Sequence, residues 1–376
     1  MKKVGIITHY YKNLNYGGSL QAYALCRVLR EMGFDAEQIS YDMHFPPIPY
    51  APVLRLKKVI KTAILGIRYL PWSFGWRKRK KSFYNFQEQI PHSVKIYNKD
   101  TIAEAKSCYD VFITGSDQVW NTQWYHSAFF LDFVSGDKKK IAYAASLGQT
   151  QLDEKSCGIF TRSLKDFNAV SVRELDAVDM ISQYTSVPVV QTLDPTMLLS
   201  AQQWDEICSD PIVEGKYIFC FLLGDGQPER QAVRRFANEI GVKIVTLPHF
   251  PCSYRKNDQN FADIFLYDIS PMQFISLIKY AEYVFTDSFH AAVFSNIYKK
   301  DYFVFERNNG KNMRSRIVSL LSFYNCEHRF LDRPEKLEFA YMQNAEKTNF
   351  TKVRDDLEEK RNASLAFLRN HMVDTE

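Results

Sequence analysis

The sequence predicts an α/β protein built as two Rossmann-like lobes, each a parallel sheet covered by helices. Three observations predict it. Short, fully apolar, β-branched runs alternate with amphipathic stretches, as expected of strands buried on both faces and joined by helices. That strand, loop, helix unit recurs in both halves of the chain. Finally, 376 residues are too many for one ordinary core but suit two.

The chain opens with K-V-G-I-I-T-H at 3–9, a continuous strand-like run that ends in the turn-rich N-L-N-Y-G-G. A helix follows, with Ser19 as the expected N-cap, Leu20, Tyr23, Ala24 and Val28 on one face, and Gly33 as its stop. Further strands are expected at 109–114, 141–146 and 169–172, each leading into a polar loop. After L-D-P-T at 193–196 the pattern restarts. A strand at 217–223 precedes a helix packing Val233, Phe236, Ala237 and Ile240, and Gly241 then opens a strand at 242–247. Ser270 caps a helix with Pro271 at its first position and Phe274, Leu277 and Ile278 on its apolar face. The run Y-V-F-T at 283–286 leads through D-S-F-H into another helix. These units put one lobe at 1–200 and the other at 201–376, the latter ending in a charged helix that can pack across either lobe.

Hydrophobic content of 46% and aromatic content of 15% supply enough apolar surface to offset chain entropy, so extensive disorder is not expected. The seven cysteines are scattered and never paired as C-x-x-C, which fits reduced thiols in the cytoplasm and gives no metal or redox site. The N-terminal apolar run is too short for a secretory signal, and nothing approaches the roughly 20 apolar residues of a membrane span.

The net charge of +5 is unevenly distributed. Residues 43–87 form an insertion with ten basic and no acidic side chains, so the remainder of the chain is net negative. Apolar and aromatic residues interleave with the bases at 52–81, which predicts an amphipathic surface for peripheral contact with an anionic membrane face. A nucleic-acid partner is not expected, because the aromatic spacing matches no recognised module.

In parallel α/β sheets ligands bind beyond the carboxyl ends of strands. Four loops qualify: N-Y-G-G-S-L-Q at 15–21, T-G-S-D-Q-V-W-N at 114–121, S-V-R-E at 171–174 and T-D-S-F-H at 286–290. The first matches neither a dinucleotide fingerprint nor a P-loop, so no cofactor is expected. Gly17 or Gly18 can serve a tight turn at positive φ or contact a ligand, with Ser19 beside them, and Gln21 can face either ligand or solvent. In the second loop Asp117 can act as a base toward a sugar hydroxyl, or Ser116 or Asp117 can cap a helix, with Gln118 alongside. Arg173 can grip a carboxylate or phosphate in bidentate fashion, or pair with Glu174 or Asp176. His290 follows a capping pair, Asp287 and Ser288, at a helix start.

The glycine loop with L-Q-A-Y-A-L, the I-T-G-S-D-Q-V-W run, the S-V-R-E arginine, L-D-P-T and the T-D-S-F-H-A histidine occur in that order. Together, across residues 4 to 325, they resemble the polysaccharide pyruvyl transferase family. The resemblance implies a GT-B-like architecture and transfer of the three-carbon unit of phosphoenolpyruvate to a sugar of a surface polysaccharide such as a capsule, or of its lipid-linked precursor, as a pyruvate ketal; with the basic segment at 52–81 it implies a lipid-linked acceptor at the inner-membrane face. It also implies Arg173 as donor anchor and His290 as general acid. Phosphoenolpyruvate carries a carboxylate and a phosphate, which suit an arginine fork, and its methylene carbon must be protonated, which suits a histidine.

One departure stands out. Many family members carry an arginine two residues before this histidine, where the chain has Ser288. Arg314, Arg316 or Lys311 is expected to supply that charge. Two rival readings fit the same residues: a GT-B glycosyltransferase using a nucleotide sugar, and a non-catalytic glycan or lipid binder.

Overall fold

The computed structural model describes residues 1–43, 70–248, 256–258, 260–307, 314–338 and 350–373. In chain order the strands of the first sheet and the helices between them are β1 (Lys3–Ile7), α1 (Tyr16–Glu31), β2 (Asp35–Gln38), α2 (Leu70–Gln87), β3 (Val111–Thr114), β4 (Lys139–Ala145), α3 (Glu154–Ser163), β5 (Ala169–Val172), α4 (Asp176–Ser182) and β6 (Val189–Gln191). After α5 (Ala201–Asp205) come β7 (Tyr217–Phe221), α6 (Gln227–Ile240), β8 (Lys243–Thr246), β9 (Ile264–Phe265), α7 (Pro271–Lys279), β10 (Tyr283–Thr286), α8 (Phe289–Ile297), β11 (Asp301–Phe305), α9 (Arg314–Phe323), β12 (Phe330–Leu331) and α10 (Phe350–Met372).

The strands form two six-stranded sheets, ordered β2-β1-β3-β4-β5-β6 and β12-β11-β10-β7-β8-β9. Each pairing is parallel, with Ile6 opposite Ile113 and Phe285 opposite Cys220 in the two sheet centres. Chain order reverses between β1 and β3 in one sheet and between β7 and β10 in the other, and loops leaving such switch points frame a ligand crevice.

Local sequence accounts for much of this. Ser270 and Gln273 close a capping box with Pro271 in the first turn of α7, and Gly241 ends α6 in the left-handed conformation that favours glycine. One expectation fails: Asn15, not Ser19, caps α1, its Oδ1 accepting from the Gly18 amide at 3.2 Å. The glycine pair is therefore the first turn of a helix and neither glycine has positive φ. Ser19 is buried, and its Oγ accepts from Gln87 Nε2 at 3.2 Å.

The two sheets share a core through α1, α7 and α8. Tyr16 stacks on Phe274 at 4.5 Å and donates its hydroxyl to the Ile269 carbonyl, while Trp204 meets Phe294 edge-on at 4.9 Å. The helix α10 follows the second sheet in sequence but returns to the first, where Ser364 Oγ accepts from the Leu193 amide and Arg361 donates to the Met197 carbonyl. Of the basic insertion, Arg55, Lys57, Lys58, Lys61 and Arg68 lie outside the described residues. On α2, Arg77, Lys78, Lys80 and Lys81 are exposed, but Arg79 is turned inward and donates to the Leu266 carbonyl.

Candidate active site

The loops after β1 and β3 are tied together by buried polar side chains. Thr8 Oγ1 donates to the Ser116 carbonyl at 2.7 Å, and Gln21 Nε2 donates to Thr8 Oγ1 at 2.9 Å while its Oε1 accepts from the Ser116 amide at 3.1 Å. Gln21 is thus fully buried, not at the solvent face that was one alternative for it. Gln118 is half-buried, its Oε1 accepting from Asn121 Nδ2 at 3.1 Å. Neither Ser116 nor Asp117 caps a helix: Ser116 Oγ donates to the Ala144 carbonyl at 2.8 Å, and Asp117 has a positive φ of 70°.

A buried carboxylate that sequence reasoning missed organises the centre. Asp194, from L-D-P-T after β6, accepts through Oδ1 from Thr196 N and Oγ1, and through Oδ2 from Arg173 Nη1 at 2.9 Å, with Ser116 Oγ, an alternative donor to the same oxygen, 3.3 Å away. The same Oδ2 lies 3.6 Å from His290 Nε2, which comes from the other sheet. Burial alone would raise the proton affinity of Asp194, but His290, Arg173 and Thr196 outweigh it and hold the carboxyl far below the usual range. The local signal was Asp before Pro at a strand end, where one oxygen serves the turn and the other is left for a partner.

Arg173 is buried at the end of β5. Besides Asp194 it donates through Nε to Glu174 Oε1 at 3.4 Å, and it stacks on the Phe289 ring at 4.4 Å. Asp176, the other partner considered for it, instead accepts from Ser315. Arg173 Nη2 points toward Asp117 Oδ1 at 3.9 Å, too far for a hydrogen bond. Among the described residues neither Arg173 Nη2 nor His290 Nε2, both buried, has a hydrogen-bond partner. Burial would raise Asp117, but the charges of Arg173, His290, His9 and Arg316 more than offset it and hold its carboxyl below the ordinary value.

His290 sits in the first turn of α8, over α1. A Cβ placed on Gly17 would collide with its imidazole, and one on Gly18 would stand 3.1 Å from the His9 carbonyl oxygen and 3.6 Å from Asp117 Oδ2. The glycine pair therefore lets α1 approach histidine on one side and aspartate on the other.

The rest of the D-S-F-H loop differs from expectation. Asp287 does not cap α8; it accepts from the Leu223 and Gly224 amides at 2.6 Å each and from Arg307 Nε at 3.2 Å. Ser288, buried, stands at the N-cap position without a side-chain capping bond. Of the three bases expected to replace the arginine, Lys311 lies outside the described residues, and Arg314 is half-exposed and 3.6 Å from Glu306. Arg316 is buried, its proton affinity pushed down to about 10 by burial first and by Arg173, with Arg307 also contributing. Arg307, which the sequence reading missed, also donates to the Asp287 carbonyl at 2.7 Å, next to Ser288.

A cavity of 480 Å³ opens beside Asp117 on the first sheet, lined by residues of the β1 and β3 loops including His9, Lys12, Asn13, Gln118 and Trp124. Trp120 is buried in the core, whereas Trp124 is half-exposed at this cavity.

The model of the polysaccharide pyruvyl transferase family matches residues 15–309. The chain belongs to that family. No curated protein matches it. Among solved structures, a Listeria monocytogenes protein assigned as a UDP-N-acetylglucosamine 2-epimerase is 11% identical, with a TM-score of 0.59 over 100% of this chain and 97% of that one. The UDP-GlcNAc 2-epimerase of Methanocaldococcus jannaschii is 12% identical, with a TM-score of 0.54 over 94% and 98% of the two chains. That of Neisseria meningitidis, bound to UDP-GlcNAc, is 10% identical at 0.55 over 98% and 100%. These similarities establish the GT-B fold for this family member. Among the described residues no helix is long and apolar enough to cross a membrane.

Proposed function

We propose that this polysaccharide pyruvyl transferase takes its three-carbon unit from phosphoenolpyruvate and leaves it on the acceptor sugar as a pyruvate ketal. The observation that carries the reading is the pair of buried donors without partners, Arg173 Nη2 and His290 Nε2, brought from different sheets to the same carboxylate. Buried donors are costly to leave unpaired, and an anionic donor entering between them would satisfy both.

In this reading Arg173 anchors the donor carboxylate, held rigid by Asp194, Glu174 and the Phe289 ring. The amides at the start of α8 and the Ser288 hydroxyl hold phosphate, and Arg316 and Arg307 supply the charge that a dianion needs there. His290 protonates the methylene carbon, C2 gains oxocarbenium character, the sugar hydroxyl attacks it, and phosphate leaves with the C2–O bonding pair. A second hydroxyl closes the ketal. The acceptor occupies the 480 Å³ cavity, where Asp117, kept ionised by its neighbours, orients a hydroxyl and Trp124 offers a flat apolar face.

The test is product analysis after incubation with phosphoenolpyruvate and a panel of free and lipid-linked glycosides. A new ketal methyl singlet in the proton spectrum of the sugar is expected. Stabilisation by a nucleotide sugar, with no ketal formed, would favour the glycosyltransferase reading.

We also propose that the basic insertion brings the enzyme to an anionic membrane face carrying a lipid-linked acceptor, on the strength of the exposed Arg77, Lys78, Lys80 and Lys81. Flotation with anionic liposomes tests this, and equal recovery of a variant with those four bases neutralised contradicts it.

A further inference from the structure

We infer that His9 is the acceptor-side base, its Nδ1 taking the proton of the sugar hydroxyl that attacks C2 of the donor. The inference deepens the pyruvyl transferase reading and rests on it. His9 precedes the residues matched by the family model, so its role is argued from position and bonding alone.

The position is the switch point of the first sheet, two residues beyond β1, on the wall of the 480 Å³ cavity that also holds Asp117. His9 Nε2 lies 3.3 Å from the Gln118 carbonyl oxygen. A carbonyl only accepts, so Nε2 carries the hydrogen and Nδ1 keeps the lone pair. Among the described residues Nδ1 has no partner, and the ring is held against Phe129 at 4.2 Å.

The charged and titratable groups around it are Asp117 and His126, with Lys12 and Asp42 on the same wall paired to each other at 2.8 Å. Burial pushes the proton affinity of His9 down, against the pull of Asp117 and of the Gln118 bond. The neutral ring that a base requires is therefore the form present near pH 7. Asp117, held below the ordinary carboxylate range, is a poor base and a good anchor. The two histidines flank the Gly17-Gly18 turn, His290 on the donor side and His9 on the acceptor side.

The proton count balances. The acceptor loses two hydroxyl protons: one replaces the proton that C3 takes from His290, and the other departs on phosphate. His9 carries them out of the acceptor one at a time.

The decisive variant is H9Q, because the glutamine amide can keep the bond to the Gln118 carbonyl but has no basic nitrogen. With phosphoenolpyruvate and the glycoside panel, the variant is expected to keep the donor-induced rise in melting temperature. Its turnover should fall about 10²–10⁴-fold, and the acidic limb of its pH–rate profile should disappear. Wild-type kcat with an unchanged acidic limb in H9Q overturns the role of His9 while leaving the transferase reading intact. A wild type that forms no ketal overturns both. If H9Q does not fold, proton NMR titration of the wild-type ring decides: a ring still protonated at neutral pH contradicts the inference.

Discussion

His290 stands directly over Gly17, ring against backbone, so that a single methyl group on Gly17 would collide with Nδ1, Cγ and Cε1 of the imidazole. Gly17→Ala should therefore displace His290 or α1. Helix propensity alone would make alanine stabilising by about 1 kcal/mol in a helix. The expected result is the reverse, a lower melting temperature together with at least a 100-fold loss of pyruvyl transfer, read by thermal unfolding and phosphate release.

Asp194 holds Arg173 and faces His290. Asp194→Ala leaves a buried guanidinium without its shortest ion pair, and breaking such a pair costs about 3–5 kcal/mol. Asp194→Asn keeps one acceptor, which can still serve the Thr196 amide and hydroxyl, but removes the charge and the second oxygen that faces Arg173 and Ser116. Urea unfolding should show a large loss for alanine and a smaller one for asparagine, with turnover low in both.

In the proposed reading the charge expected at Ser288 is supplied by Arg316 and Arg307. Arg316→Met and Arg307→Ala should each raise the KM for phosphoenolpyruvate at least 10-fold, whereas Arg314→Ala, at a half-exposed side chain beside Glu306, should not. Steady-state kinetics with varied donor distinguish the three.

Asp117 and Asp194 both have folded-state proton affinities below those of the unfolded chain, so folding releases protons there. Their contribution to stability is complete above the unfolded aspartate value, about 3.9, and is lost as pH falls below it. Melting temperature should drop steeply below about pH 4 in the wild type and less steeply in Asp194→Asn.

Strands and caps set by local chemistry were legible in the sequence: the apolar runs around Ile6, Ile113 and Phe285, the Ser270-Pro271 start and the Gly241 stop. The placement of Arg173 at a strand end and His290 at a helix start was legible for the same reason. What was not legible depends on the other sheet. Gly17 and Gly18 read as a turn because nothing local indicates that a histidine some 270 residues later packs against them. Asp287 read as a cap because its true partners, the Leu223 and Gly224 amides, arrive from another strand end. Asp194 was overlooked because its turn role is visible locally while its second oxygen faces residues from three other segments of the chain.

The central claim is that Arg173 and His290 act together on phosphoenolpyruvate. The direct measurement is acceptor-dependent phosphate release by wild type, Arg173→Ala and His290→Ala. The account predicts release by the wild type and at least a 100-fold loss in each variant, with both still folded. Release that persists in either folded variant, or stabilisation of the wild type by a nucleotide sugar and not by phosphoenolpyruvate, would contradict it.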